Sequence, residues 1–307
     1  MIGGRAAATR LASLDRGRGD KMFNLITWNV QWCRGCDGRV DPKRIADTAR
    51  ALADFDVLCV QEVAHNFTDL PGSRGENQFA LLAALLPGYT AIEGVATDLR
   101  AADGSRRRFG NMILSRLPVR QAFRHLLPWP ADPGMKSMQR VAVEAVIEAG
   151  FGPLRVTTTH LEYYSALQRS AQVERLRDLH AEACGHARMP VAGEAAADKG
   201  PFAALQRPAQ AILTADFNFK LEDPLHDRIT EPFADGTTRF VDAWQTHHPG
   251  ITQPDTLGVH DREQWGEEHY ACDFIYLTEA LAARIVDVRI DGATDASDHQ
   301  PVLLTLA

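Results

Sequence analysis

Polar residues that can bind a metal ion or move a proton stand at the ends of short apolar runs in this sequence. The run LITWN ends at Asn29, DVLCVQE ends at Glu62, and RVTTTH ends at His160. The later members of the set are Asp216 and Asn218 in TADFN, Asp273 in YACDFIYL, and Asp298 and His299 before QPVLLTL. Strand ends deliver side chains to one rim of a sheet, where functional sites form. Each residue alone is a weak signal, but the eight together predict one shared site.

The elements that would position these residues alternate between strands and helices at first, and later are mostly strands. Strands are predicted at 22–30, 56–63, 89–96, 110–115, 140–149, 154–161, 209–218, 270–278, 283–290 and 300–306. Helices are predicted at 41–55, with Asp41 as N-cap, at 76–86 and at 165–184. Residues 186–208 are rich in Ala, Gly and Pro, which predicts a surface excursion.

Length and composition predict one domain at 22–307 after a flexible tail at 1–21. The chain has 307 residues, of which 45% are hydrophobic and 24% charged, an ordinary globular mixture. The tail lacks the apolar core of a secretory signal, and no stretch approaches the ~20 apolar residues of a membrane span. The net charge of −7 weighs against a large DNA-binding face, although it leaves room for a small basic groove. We expect a monomeric, cytoplasmic protein.

The ordered motifs carry a family resemblance. WN, QE, THL, D-x-N, an aspartate before an aromatic–aliphatic pair, and SDHxPV, in this order, resemble the endonuclease/exonuclease/phosphatase superfamily, which includes DNase I, apurinic endonucleases, sphingomyelinases and inositol polyphosphate 5-phosphatases. The resemblance runs from Asn24 to the C-terminus, and its most specific parts are TADFN at 214–218 and SDHQPV at 297–302. It implies a four-layer α/β sandwich, in which helices flank two packed mixed β-sheets. It also implies Mg²⁺-dependent hydrolysis of a phosphate ester.

On this resemblance three residues hold the metal. Glu62 is the main protein ligand to Mg²⁺, with Mn²⁺ able to substitute, and Asn29 and Asp298 help to hold the ion directly or through water. The residue types agree, because Mg²⁺ takes oxygen ligands and keeps several waters, so that one carboxylate with weaker oxygens is enough. The set contains no cysteine, which disfavours zinc.

The remaining residues of the set are implied to act on the water and the phosphate. Asp216 orients or deprotonates the attacking water, and Asn218 positions the water or the phosphate. His160 donates to a non-bridging phosphate oxygen. His299, paired with Asp273, contacts the phosphate or the water, since a carboxylate partner fixes the tautomer of a histidine and favours its cation. The sequence leaves open whether Asp216 or His299 takes the proton.

Other matches to the family are less specific, and two positions depart from the family's motifs. Asn111 and Arg140 are candidates for substrate binding, and Asp242 is predicted to cap a helix. Ala215 stands where many members have Gly, and Cys272 stands where many have Arg. Neither change removes a group from the implied mechanism. The basic run at 106–108 is interpreted as a solvated loop that could approach a polyanion.

The five cysteines raise the alternative of a metal or redox site. Cys33 and Cys36 have the spacing of metal and redox sites, but no second Cys pair or HxxxH motif accompanies them. They run into the Asp37-Gly38 turn, whereas a thioredoxin-like pair would open a helix. A structural or incidental role is therefore favoured. The odd number of cysteines predicts reduced thiols.

The favoured function is a Mg²⁺-dependent phosphoesterase that cleaves a diester, with nucleic acid among the candidate substrates. Residues 134–176 look somewhat like the tyrosyl-DNA phosphodiesterase of the 5′-end type and its bacterial relatives. Two alternatives have the same fold. One is a hydrolase of phosphomonoesters, lipids or inositol phosphates, and the other is a non-catalytic module that binds a phosphorylated ligand. A thiol or zinc protein centred on Cys33 and Cys36 is the third alternative.

Overall fold

Two mixed sheets of six strands each form the centre of the molecule. The computed structural model describes residues 22–189, 200–202 and 206–307. The predicted tail at 1–21 and much of the predicted excursion at 186–208 lie outside the described residues. No helix in the described part of the chain is long and apolar enough to cross a membrane.

The first sheet has the strand order β11-β12-β1-β2-β4-β3. Its strands are β1 (Phe23–Asn29), β2 (Val57–His65), β3 (Thr90–Arg100), β4 (Arg106–Ser115), β11 (Ile285–Ile290) and β12 (Val302–Leu306). β1 and β2 are parallel, and the other neighbours are antiparallel. The parallel pair brings the ends of β1 and β2 to the same rim, where Asn29 is the register partner of Gln61.

The second sheet has the order β5-β6-β7-β8-β10-β9. Its strands are β5 (Val119–Leu126), β6 (Val141–Ala149), β7 (Gly152–His160), β8 (Ala211–Asp216), β9 (Phe240–Asp242) and β10 (Asp273–Thr278). Parallel pairing of β7 with β8 sets His160 beside Asp216, and antiparallel pairing of β8 with β10 sets Asp216 beside Asp273. Three predicted site residues therefore share one end of this sheet.

In the described chain, the first two helices pack on the outer face of the first sheet, the third and fourth pack on that of the second sheet, and the fifth adjoins the core between the sheets. The helices are α1 (Pro42–Leu52), α2 (Gln78–Leu85), α3 (Ala166–Arg188), α4 (Pro224–Thr230), α5 (Ala243–His247) and α6 (Arg262–Trp265), with 3₁₀ turns at Gln31–Cys33 and Glu279–Arg284. Asp41 caps α1, as predicted, because its carboxylate accepts from the amides of Lys43 and Arg44. Asp242 likewise caps α5 by accepting from the amide of Gln245.

Alternation along the strands explains the layering. In β1, Leu25 points into the core between the sheets and Ile26 into the core under α1 and α2. The same alternation makes β2 a continuous apolar run, since both of its faces are buried. A third core joins the second sheet to α3 and α4 through residues such as Leu213 and Ile229. The order helix, sheet, sheet, helix is the predicted four-layer sandwich.

The structure corrects several predicted elements. β5, β9, α4, α5 and α6 were not predicted, and β4 begins at Arg106 rather than at Gly110. The basic run at 106–108 is therefore strand, not loop. Arg106 Nε contacts Asp98 Oδ1 at 2.8 Å, and Arg107 pairs with Asp69. Acidic neighbours thus neutralise part of this run.

Candidate functional site

The ends of β1, β2, β7 and β8 open onto one pocket of about 270 Å³. Six residues of the predicted set line it: Glu62, His160, Asp216, Asn218, Asp298 and His299. The two others, Asn29 and Asp273, are buried directly behind them. The structure therefore brings together the eight residues that the sequence distributes over six strand boundaries.

Glu62 reaches the pocket because β2 is irregular at this point. Its pairing with β4 shifts between Val60 and Val63, and Glu62 has a left-handed backbone with φ of 61°. A bulge of this kind re-aims a side chain that regular alternation would point elsewhere. Burial, and next the Asp298 carboxylate, raise the pKa of Glu62 to about 7.

Asn29 connects the two sheets. Its Nδ2 donates to Glu62 Oε1 at 3.2 Å and to Asp216 Oδ2 at 2.9 Å, so one amide links a carboxylate of each sheet. Its Oδ1 accepts from the Gln31 amide at 3.0 Å, which fixes the orientation of the side chain. The predicted position beside Glu62 is therefore occupied by a rigid, buried amide.

Asp298 is held by residues that sequence reasoning missed. Its Oδ2 accepts from Gln31 Nε2 at 2.8 Å, Trp265 Nε1 at 3.0 Å and Gln264 Nε2 at 3.3 Å. Burial nonetheless raises the pKa of Asp298 above its usual range. Gln31 directly follows the first motif and could have been noticed, whereas Gln264 and Trp265 lie in α6, which has no periodic signal.

The donor set fits a hard divalent cation. Glu62 and Asp298 offer carboxylate oxygens, the ligands that Mg²⁺ takes, whereas Asn29 directs Nδ2 toward Glu62 and Oδ1 toward the Gln31 amide. Among the described residues, Asn29 is the one hydrogen-bond donor to the Glu62 carboxylate, so most of the lone pairs of Glu62 remain available. Asp298 differs, since three N–H groups already occupy its Oδ2. Glu62 is therefore the better placed of the two for direct coordination.

His299 lies between two carboxylates. Its Nδ1 contacts Asp273 Oδ2 at 2.8 Å, and its Nε2 lies 3.6 Å from Asp216 Oδ2. Thr256 Oγ1 donates to the same oxygen of Asp273 at 2.6 Å and fixes that carboxylate. Burial lowers the pKa of His299, but Asp273 and then Asp216 outweigh it and raise the pKa well above the usual value. The predicted pairing of His299 with Asp273 is present.

His160 lies in a different environment. Its Nε2 is 2.8 Å from Asn218 Nδ2 and 3.3 Å from Asp216 Oδ2, and its Nδ1 is 3.7 Å from Glu62 Oε1. Burial, and next the charge of Arg140, lower the pKa of His160 to about 3, so the ring is neutral at pH 7. If Nε2 accepts from Asn218, Nδ1 carries the proton and faces the pocket side.

The two residues that were predicted to bind substrate, Arg140 and Asn111, have different positions. Arg140 lines the pocket, with Nε 3.2 Å from Glu162 Oε2. Asn111 does not line it: the side chain is buried between the sheets and donates to the carbonyl of Val141 at 2.9 Å. The structure thus brings Arg140 to the site and gives Asn111 a contact that links β4 to β6.

An aromatic rim surrounds the pocket and was not predicted. It consists of Trp32, Phe109, Tyr163, Tyr164 and Trp265. Tyr163 makes edge contacts with both Tyr164 and Trp265, at centroid distances of 4.9 and 6.4 Å. These residues belong to loops and short helices, except Phe109 in β4, and no spacing in the sequence connects them.

The cysteine pair does not form a shared site with the predicted set. Cys33 is fully buried in the core under α1, whereas Cys36 is half-buried and its Sγ contacts the carbonyl of Ser297 at 3.4 Å. A different cysteine, Cys272, lies beside two residues of the predicted set. One ligand atom each from Asp216, Cys272 and His299 lies within 4.8 Å of the others. Cys272 is the residue that the sequence places directly before Asp273.

A protein-family model matches most of this chain. The model of the Endonuclease/Exonuclease/phosphatase family matches residues 26–299, from the first strand to His299. The chain belongs to this family. It is accordingly a hydrolase of phosphate esters, in a family that generally depends on a divalent metal. No curated protein matches the sequence.

Solved structures of this family share the fold at low identity. A Bacteroides vulgatus family member is 20% identical with a TM-score of 0.62, and the match covers 94% of this chain and 99% of that one. D. rerio TDP2, solved with a single-strand DNA product, is 17% identical with a TM-score of 0.58 over 94% and 100%. A Bacteroides thetaiotaomicron mannosyl-6-phosphatase is 15% identical with a TM-score of 0.57 over 93% and 99%.

Proposed function

We propose that this family member is a Mg²⁺-dependent phosphodiesterase, with Mn²⁺ able to replace Mg²⁺. The observation that carries the proposal is the convergence of two chemically distinct groups on one pocket. The carboxylates of Glu62 and Asp298, with Asn29 bonded to Glu62, form one group, and Asp216 with two histidines forms the other. Such a combination suits the hydrolysis of an anionic ester, which needs charge neutralisation and a positioned water.

Each side chain would have a defined task. Glu62, with Asn29 and Asp298 nearby, would hold the Mg²⁺, and the bound ion would supply charge neutralisation at the phosphate. His160, neutral with its proton on Nδ1, would donate a hydrogen bond to a non-bridging oxygen. Asn218 would orient the phosphate or the water from the end of β8.

Asp216 is the better candidate for the proton acceptor. It lies within 3.6 Å of both imidazoles, and Asn29 Nδ2 and the Asn218 amide hold its two oxygens at 2.9 and 3.0 Å. His299 is flanked by Asp273 and Asp216, an arrangement that favours its cation. A cationic His299 stabilises negative charge on the phosphate rather than accepting a proton from water.

The pocket lining favours a diester over a monoester. Among the described lining residues, positive charge from Lys or Arg comes from Lys136 and Arg140 alone. Arg140 is already paired with Glu162. A dianionic monoester would need more positive charge than a monoanionic diester. The aromatic rim offers rings on which a planar substituent of the ester can stack.

The test is turnover of bis-p-nitrophenyl phosphate against p-nitrophenyl phosphate, a single-stranded oligonucleotide and mannose 6-phosphate. We expect diester turnover that EDTA abolishes and Mg²⁺ or Mn²⁺ restores. Glu62→Gln should lower kcat/KM about 10²-fold or more, because it removes the main charged ligand, and His299→Ala should lower kcat by a similar factor.

Glu93→Gln is the matched control, because Glu93 is a carboxylate of the same sheet that does not line the pocket. It should retain wild-type turnover. If Glu62→Gln and His299→Ala both turned over as fast as wild type, the site would be wrong. Preference for mannose 6-phosphate would favour a monoesterase, and tight binding of a phosphate ester without metal-stimulated turnover would favour a binding module.

A further inference from the structure

Cys272 adjoins the catalytic residues without taking part in the reaction proposed above. It directly precedes Asp273 at the start of β10, is fully buried and is a free thiol. Its Sγ lies 3.6 Å from Asp273 Oδ2, and one ligand atom each from Asp216, Cys272 and His299 lies within 4.8 Å of the others. Carboxylate, thiol and imidazole together form a mixed O, S, N donor set.

This donor set differs in kind from the one around Glu62. Oxygen donors suit Mg²⁺, whereas thiolate and imidazole ligands suit zinc and cadmium. Tetrahedral Zn²⁺ has ligand distances of roughly 2.0–2.3 Å, so its ligand atoms are separated by about 3.3–3.8 Å. The 3.6 Å between His299 Nε2 and Asp216 Oδ2 falls in this range, and side-chain movement would have to bring in the sulfur, which lies within 4.8 Å of a ligand atom of each partner.

The surroundings already orient the imidazole for a metal. The contact between His299 Nδ1 and Asp273 Oδ2 leaves Nε2 as the ligand atom, which is the carboxylate–histidine arrangement of many zinc sites. Asp273 Oδ1 is buried and has no hydrogen-bond partner among the described residues. Access comes from the pocket, since Asp216 and His299 both line it.

We propose that Asp216, Cys272 and His299 form an inhibitory site for Zn²⁺ or another thiophilic divalent cation. On binding, the Cys272 thiol and the Nε2–H of the His299 cation each lose a proton to solvent, the sulfur and His299 Nε2 then each donate an electron pair to the cation, and an oxygen of Asp216 completes the protein ligands. The ion removes Asp216 and His299 from the reaction. Inhibition rests on the proposed function, whereas binding does not.

Binding is tested first, with Cd²⁺ as the probe on the full chain, without Mg²⁺ and with the thiols reduced. Wild type should develop the ultraviolet charge-transfer band of a thiolate–Cd²⁺ bond, saturating at one Cd²⁺ per chain. Cys272→Ser should abolish the band and weaken Cd²⁺ binding by about tenfold or more. The Cys33→Ser, Cys36→Ser double variant should keep the band. A band that survives Cys272→Ser, or that disappears in the double variant, would overturn the site.

Inhibition is tested second, with Zn²⁺ titrated against diester turnover in excess Mg²⁺. The Zn²⁺ concentration for half-inhibition should rise about tenfold or more in Cys272→Ser, each variant being compared with its own rate without Zn²⁺. Equal half-inhibition in wild type and Cys272→Ser would place inhibitory Zn²⁺ elsewhere. If no diester is turned over, the proposed function fails, and the cadmium band still decides the site. Cys272→Ala replaces Cys272→Ser if the latter does not fold.

Discussion

Asp273 affects the pocket through His299 rather than by contact with a substrate. Its carboxylate accepts from Thr256 and holds His299 Nδ1, which leaves Nε2 directed toward Asp216. A buried carboxylate in this position fixes both the tautomer and the charge of the ring. On the proposed function Asp273 is a positioning residue, and its loss should alter the reaction rate more than substrate binding.

Asp273→Asn tests this role. An amide keeps the shape but removes the negative charge, so kcat should fall about 10²-fold or more with KM little changed. The pH profile of kcat should change shape, because the cationic form of His299 is no longer favoured. Asp242→Asn is the matched control, since Asp242 forms a second buried carboxylate–histidine contact with His226 at 3.0 Å. Equal kcat values for the Asp273 variant and wild type would exclude the role.

At the residue scale, the sequence predicted the polar residues that meet at the pocket better than the residues that hold them in place. Asn29, Glu62 and His160 could be predicted because each ends an apolar run within a recognisable motif. Gln264 and Trp265 could not, since their contacts with Asp298 connect positions 34 and 33 residues apart. Contacts of that kind depend on tertiary packing, which local spacing does not record.

At the scale of elements, two irregular segments shape the pocket. One is the bulge that aims Glu62, and the other is the turn after β1, where Gln31, Trp32 and Cys33 all have positive φ values of 42–59°. Such backbone costs about 1–2 kcal/mol per non-glycine residue and is found where function requires it. The sequence predicted ten of the twelve strands of the described chain, but no propensity predicts either irregularity.

Helix α3 covers a buried cluster of charges on the second sheet. Glu144 of β6 contacts Arg155 of β7 at 3.4 Å and Arg207 at 3.0 Å, and Arg155 also contacts His180 of α3 at 2.7 Å. Burial raises the pKa of Glu144, but His125, Arg155 and Arg207 together outweigh it and lower the pKa to about 2. The cluster therefore ties β6, β7 and α3 together through one ionised carboxylate.

Glu144→Gln should lower the free energy of unfolding by about 3 kcal/mol, because it leaves buried arginines without their partner. The folded pKa lies below the unfolded value, so the contribution of Glu144 is present above pH 4.5 and is lost as the pH falls toward 2. Denaturant melts across this range should show that the variant lacks this pH-dependent part. Glu174→Gln, which breaks an exposed contact with Arg228, should cost less than about 1 kcal/mol. Equal losses of unfolding free energy in the two variants would contradict the role of Glu144 as the partner of buried arginines.

At the scale of the whole molecule, the site exists only where the two sheets meet. The first sheet carries Asn29 and Glu62, and the second carries His160, Asp216 and Asp273. Asn29 bonds across to Asp216, and Asn111 bonds across to Val141. The distance between the sheets therefore sets the geometry of the pocket, and turnover should be lost in the same denaturant transition as the fold.

Gly94 controls how closely the sheets approach at β3 and β6. A Cβ at Gly94 would lie 2.0 Å from Val143 Cγ2, a side chain of the opposite sheet. Gly94→Ala should therefore lower the free energy of unfolding by about 1–3 kcal/mol through overpacking. Gly185→Ala is the control, because a Cβ there meets nothing within 4 Å and alanine favours helix α3, so its stability should be equal or higher.

The double variant Gly94→Ala, Val143→Ala separates this contact from a local strand effect. Removing the Val143 methyl groups makes room for the new Cβ, so the two changes should offset each other by about 1 kcal/mol or more in a double-mutant cycle. If Gly94→Ala instead acts within β3 alone, the two losses should simply add. Turnover and tryptophan fluorescence, followed through the same denaturant series, should share one midpoint in every variant, because neither half of the site can work when the sheets separate.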